Sequence, residues 1–187
     1  MAENQYFTCV GASHGALATP ADKAAWINCR NTSWLPGLCR RIQTATDDEQ
    51  VKKLKSKLPI WTPRCAEFRA HHRKESEVLK PLNRLMLDID EKGHTDEIMA
   101  RCRRFGEQLY LDCDYYSTLR VLLIEDSVRL GSPILVELPD GLTPEEVQQL
   151  VSDKIGFKCD PAVKNVAGCI YMVPMSYTKF VDEALFT

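Results

Sequence analysis

The sequence predicts an α+β fold. A β-α-β-β-α-β core spans about residues 85–173, the split βαβ topology of ferredoxin-like and RNA-recognition-motif-like folds, with an N-terminal α/β elaboration. Three observations carry this. Residues 84–90 alternate as a strand, two apolar runs flank a turn at Arg129-Leu130-Gly131, and residues 143–156 carry both ends of a helix. With 44% hydrophobic and 27% charged residues, the 187-residue chain is too apolar to be disordered and long enough to bury a core.

Taken in order, Tyr6 to Val10 is a strand candidate, and Gly11, Gly15 and Pro20 punctuate a loop. Ala21 to Cys29 reads as a short helix, closed by Asn31-Thr32-Ser33 before Pro36-Gly37. Asp47-Asp48-Glu49 ahead of Val51, Leu54 and Leu58 predicts an acid-started amphipathic helix that Pro59 stops. Pro59 and Pro63 bracket a loop into a basic stretch.

From residue 84 the pattern sharpens. Leu85, Leu87 and Ile89 share one strand face, and Met86, Asp88 and Asp90 the other. After Gly93, Thr95 is the expected N-cap of a helix, with Asp96 and Glu97 in its first turn and Ile98, Met99, Cys102, Phe105 and Leu109 at helical spacing. Arg120–Ile124 and Ile134–Leu138 form the expected hairpin. Thr143 at N-cap, Pro144 at N1 and Glu146 at N3 start a helix whose stripe is Val147, Leu150, Val151 and Ile155, and Gly156 ends it. Ala167 to Val173 is the expected last strand, stopped at Pro174. No linker divides the chain, so a single domain over 1–187 is expected: elaboration 1–80, core 85–173, exit segment 174–187.

The longest purely aliphatic run, Val121-Leu122-Leu123-Ile124, is far short of the roughly 20 residues that cross a bilayer. The N-terminus has neither a basic nor an apolar signal region. A cytoplasmic protein with no membrane partner is therefore expected. Its eight cysteines include no CxxC pair, which favours buried thiols over a zinc site.

Net charge is −2, but residues 52–84 hold ten Lys/Arg against three acids, so this stretch is +7 and the rest of the chain −9. Trp61, Phe68, His71 and His72 interleave with the cations. Basic residues among aromatics suit phosphate backbones and stacked bases, which makes Arg64, Arg69, Arg73 and Lys74 candidate phosphate contacts. A solvated basic face is the alternative.

Asp88-Ile89-Asp90 is the most chemical feature. Residues two apart on a strand point to one side, so these carboxylates can share a divalent ion, and Mg²⁺ in turn contacts substrate phosphates. Acids at strand ends are also often only solvated. Asp112-Cys113-Asp114 reads as a polar turn, and Asp160 as a third acid or a turn residue. P-loop, GxGxxG, GxSxG and HExxH motifs are absent.

Lys57-Leu58-Pro59, Phe68 and Leu85-Met86-Leu87-Asp88-Ile89-Asp90 resemble the N-terminal domain of virulence-associated protein E-like proteins of bacterial mobile elements, a branch of the archaeo-eukaryotic primase (primase-polymerase) superfamily. The similarity runs from about Asp47 to Phe186. It takes in Asp126–Gly131 before Ile134-Leu135-Val136, Asp160–Asn165, and Tyr177–Phe186, after which relatives continue into helicase or primase-associated domains. The resemblance implies metal-dependent nucleotidyl transfer on a DNA template from nucleoside triphosphates, with Asp88 and Asp90 ligating Mg²⁺ or Mn²⁺ and Asp160 assisting. It also implies phosphate contacts at Ser127, Arg129 and Lys164.

The chain departs from the family pattern in places. Val128-Arg129-Leu130-Gly131 stands where a Ser-Gly-x-Gly turn is expected, Pro133 where a basic residue or His is expected, and Gly168 in place of an Arg. These changes keep the metal acids and remove much of the triphosphate grip, with Arg129 the substitute cation. Two further readings stay open: a catalytically silent domain that binds DNA or RNA through the basic stretch, and a protein-interaction domain of the same replication system.

Overall fold

A computed structural model describes residues 6–13, 17–113, 118–161 and 165–187. Its first half holds β1 (Thr8–Gly11), β2 (Ala18–Ala21), α1 (Lys23–Arg30), α2 (Leu35–Thr44), α3 (Asp48–Lys55), β3 (Ile60–Thr62), β4 (Cys65–Phe68) and β5 (Val78–Pro81). Then come β6 (Arg84–Leu87), α4 (Thr95–Ala100), β7 (Arg103–Phe105), β8 (Gln108–Asp112), β9 (Thr118–Glu125) and β10 (Ile134–Glu137). The chain closes with α5 (Pro144–Ile155), β11 (Ile170–Tyr171) and β12 (Thr178–Val181). The fold is α+β, and every strand pairing among the described residues is antiparallel. No described helix is long and apolar enough to cross a membrane.

The described residues form two compact units, each built from separated stretches of chain. Those within 1–82, 166–177 and 186–187 make the first, and those within 83–165 and 178–185 the second.

In the first unit a sheet of order β11-β3-β1-β2 accompanies the β4-β5 hairpin. Phe7, Trp26, Trp61 and Phe186 meet edge to face, with ring centroids 5.0 to 6.2 Å apart. This geometry sets the positive ring edge against the negative face of a neighbour. Arg30 is buried beside them, its guanidinium 4.2 Å from the Trp26 ring and its Nε donating to the Val173 carbonyl.

Local signals explain two of the three helices here. Asp22 caps α1 by accepting from the Ala25 amide, and Asp47 caps α3 by accepting from Gln50, each at 2.8 Å. α2 was unforeseen because Pro36-Gly37 reads as a loop. Pro36 lies in the first helical turn, where a missing N–H costs nothing, and Leu35, Leu38, Cys39 and Ile42 form a fully apolar inner stripe.

The second unit holds a sheet of order β6-β10-β9-β8-β7, with β12 also on β9. Leu85, Leu87, Val121, Ile134 and Val136 pack with Val147, Val151 and Ile155 of α5 in one core. Burial of each such side chain stabilises the fold by about 1.5–3 kcal/mol relative to exposure. α5 is capped as the sequence predicts: Thr143 Oγ1 accepts from the Glu146 amide at 3.2 Å, the Glu146 carboxylate accepts from the Thr143 amide at 2.7 Å, and Gly156 closes at φ +73°. The β9–β10 hairpin also stands, and its turn carries Leu130 at φ +67°.

Two expected elements are corrected. The helix from Thr95 to Leu109 ends at Ala100, and a β7–β8 hairpin follows, turning at Gly106 with φ +59°. Leu109 and Leu111 are buried while Gln108 and Tyr110 are not, a period of two that decides for a strand. The helix itself begins at Thr95 with His94 in the cap position; Thr95 is its first residue and not its cap.

The second correction concerns the last strand, expected over Ala167–Val173. Only Ile170–Tyr171 is a strand, and it pairs with Trp61 and Ile60 of β3 in the first unit. The core strands β6, β10 and β9 do lie side by side in that order. What joins β9 at its far end is β12. A bidentate ion pair reinforces that join: Arg120 Nη2 and Nε donate to the buried Asp182 at 2.9 and 3.1 Å.

Candidate functional site

The acid pair lies in the second unit just past a strand. β6 ends at Leu87, so Asp88-Ile89-Asp90 is not strand, and the same-face argument for the carboxylates does not hold. Ile89 is fully buried in the core, Asp88 is half-buried and Asp90 is exposed. Burying Ile89 fixes the backbone between the two carboxylates.

The turn after β9 packs on this segment. The Ser132 amide donates to the Ile89 carbonyl at 2.8 Å, and a Cβ on Gly131 would fall 2.6 Å from that oxygen. Only glycine permits that approach. On the other side, the Asp160 amide donates to the Asp88 carbonyl at 2.7 Å, while the Asp160 carbonyl accepts from Gln148 Nε2 of α5. The turn and Asp160 therefore both border the acid pair, although about 30 to 40 residues separate each segment from the next in sequence. Lys164 and Asp114 lie outside the described residues.

Inside the turn, Ser127 is the organising residue. Its Oγ accepts from the Gly131 amide at 2.9 Å and from the Arg129 amide at 3.3 Å, and its own amide donates to the Gly131 carbonyl at 2.7 Å. Two backbone amides of the turn are thus directed at a hydroxyl of the same turn. Arg129 is half-buried.

Sequence reasoning missed a polar cluster beside the turn. Thr95 Oγ1 donates to Asp126 Oδ1 at 2.6 Å and lies 2.7 Å from Ser132 Oγ. Lys179 reaches Asp96 at 3.2 Å and Asp126 at 3.5 Å, and the hydrogen bond to Asp96 raises its ammonium pKa. Contacts over 31 to 83 residues of sequence leave no local signal. Among the described residues, no group of three or more His, Cys, Asp or Glu is placed to hold a metal ion.

The basic stretch belongs mainly to the first unit. Lys52, Lys53 and Lys55 ride on α3, Arg64 is half-buried between β3 and β4, and Arg69, Arg73 and Lys74 lie between β4 and β5. Arg69 pairs with Glu77 at 3.7 Å, and Arg73 is beside the Cys169 thiol. Arg84 leaves this group altogether. It is 5% exposed on β6 of the second unit, where burial pulls its guanidinium down to about 10, opposed by Glu137. Residues 52–84 are therefore not one solvated face.

None of the cysteines forms a disulfide. Burial pushes the Cys9 and Cys102 thiols up to about 12 and Cys39 up to about 11, which keeps them protonated and unreactive near neutral pH.

No protein-family model, no characterised protein and no solved structure matches the chain.

Proposed function

We propose that this chain is a primase-polymerase-like domain of a bacterial mobile-element replication protein, working in the cytoplasm beside helicase or primase-associated partners. One observation carries the reading: the 127–131 turn packs on the Ile89–Asp90 backbone, where the Gly131 approach leaves no room for a side chain. The segments that the resemblance connects to nucleotidyl transfer are thereby neighbours in space. Asp88 and Asp90 offer the hard oxygen ligands that Mg²⁺ or Mn²⁺ takes, and Mg²⁺ is held elsewhere by one or two carboxylates plus substrate phosphates. The donor set therefore fits such an ion in kind. The bound metal would neutralise charge on the transferring phosphoryl group. Ile89 anchors the ligand pair, and the Asp160 amide fixes the Asp88 backbone.

The test is Mn²⁺-dependent nucleotide incorporation on a primed DNA template. Asp88→Asn is expected to abolish incorporation while leaving the melting temperature unchanged. Incorporation at the wild-type rate overturns the assignment.

The closed turn favours a second reading, that of a catalytically silent nucleic-acid-binding domain. With the Arg129 and Gly131 amides both spent on Ser127, the triphosphate loses its backbone grip. Affinity for DNA or RNA would then come from the cations of the first unit, with log affinity falling linearly against log salt. Charge reversal at Arg69 and Arg73 weakens such binding; affinity and salt slope unchanged in that variant exclude those two cations.

A further inference from the structure

The first unit carries an apolar groove that neither reading uses. Trp34, Gly37, Leu38, Arg41 and Lys57 line it, and its volume is about 470 Å³. Trp34 stands immediately before α2 and is 49% exposed, whereas Trp26 and Trp61 are wholly buried. Leaving half an indole in water forgoes burial energy that the other two tryptophans collect. Beside it, a Cβ on Gly37 would meet no atom within 4 Å, so the space alongside the ring is open.

The rim is cationic. Arg41 and Lys57 border the groove, and Arg40, Lys52 and Lys53 are exposed on α2 and α3, which pack against each other. Among the described residues, none of these five side chains takes part in an ion pair or hydrogen bond. Their charge is available to a ligand. The nearest acids in sequence, Asp47, Asp48 and Glu49, sit at the opposite end of α3 from Lys57.

We infer that this groove is a stacking site for a base of single-stranded nucleic acid, with Trp34 as the platform and Arg41 and Lys57 on the flanking phosphates. A π-face bordered by cations is what sequence-tolerant strand binding needs, because every base has a face to stack. A helical peptide partner would bring anchors at several successive turns, and the groove offers apolar surface only at Trp34 and Leu38. The inference rests on the chain being a nucleic-acid binder and is independent of the acid pair.

Titration of a short oligothymidylate, followed by tryptophan emission, tests it directly, since Trp34 is the indole that water and quencher reach. The strand is expected to quench that emission and to shield it from acrylamide. Trp34→Ala is expected to weaken binding about tenfold, with Trp34→Phe recovering most of the loss. Arg41→Gln with Lys57→Gln should flatten the salt slope by about 1.4, the value for two single-strand phosphates.

Equal binding by wild type and Trp34→Ala, with emission unmoved, overturns the groove and leaves the nucleic-acid reading standing. No binding of the strand by wild type overturns both. Quenching by polyglutamate but not by the oligonucleotide overturns the inference in favour of an acidic protein partner.

Discussion

The Ser127–Gly131 turn and the Trp34 groove differ in what their polar groups have left to give. In the turn, the Arg129 and Gly131 amides end on Ser127, and the Asp126 carboxylate is taken by Thr95 and Lys179. At the groove, Arg41 and Lys57 are exposed and engaged by no described side chain. Polar groups already satisfied within the fold stabilise it and recognise little, while groups left open contribute little to stability and are available to a ligand. The segment most recognisable in the sequence is therefore the more structural of the two, and the segment that draws no notice there is the more receptive.

The steepest expected response tests how far sealing extends through both units. Cys9 and Cys39 in the first unit and Cys102 in the second have folded pKa values of about 11 to 12, above the unfolded thiol. Their contribution is complete below the unfolded pKa. Between pH 9 and 10 the unfolded chain releases these protons and the folded chain keeps them, so stability falls. Above pH 10 the lowered Arg84 pKa acts with the opposite sign, because the folded chain then binds fewer protons than the unfolded one. Urea midpoints at pH 8, 9 and 10 should decline in order, and a flat series would mean that the thiols are not sealed.

Next in size is Gly131→Val. The new side chain must displace the Ile89 carbonyl or the turn, and overpacking of this kind costs about 3 kcal/mol. Calorimetric melting reads it, and a wild-type melting temperature would show that the turn is soft. Ser127→Ala should cost about 2 kcal/mol by stranding the Arg129 and Gly131 amides. A smaller loss together with tighter nucleotide binding would erase the contrast, since the freed amides would then be acting as a cradle. The smallest effect is expected from Trp34→Ala, which should change stability by less than about 0.5 kcal/mol. A loss beyond 1 kcal/mol in that variant, on the scale of ordinary core substitutions, would make the indole a packing residue.

What was legible in the sequence follows the range of the interactions involved. α5 was readable at both ends because Thr143, Pro144, Glu146 and Gly156 act within a turn of their own positions. Residues 95–109 misled because Ile98, Met99, Cys102, Phe105 and Leu109 happen to repeat at helical spacing. The alternation of Leu109 with Leu111 after Gly106 was the competing and decisive signal. β11 was visible as an apolar run, but its partner Ile60-Trp61 lies over 100 residues away, and nothing local names it. The acid pair was conspicuous as a motif, whereas its approach to Gly131 is a tertiary fact. Trp34 passed unnoticed because half-exposure of an aromatic ring has no pattern of its own.

The last 22 residues divide between the units. Ile170–Tyr171 completes the β3 edge of the first, Thr178–Val181 joins β9 of the second, and Phe186 returns to the aromatic cluster of the first. On the ribosome, neither sheet closes until residues 170–181 have emerged. Both edges are covered between residues 170 and 181, after a long interval in which β3 and β9 present unpaired edges. Closure of such distant pairings is slow and exposes a nascent chain to misassociation. The edges of β3 and β9 thus stay open to other strands until residues 170–181 cover them.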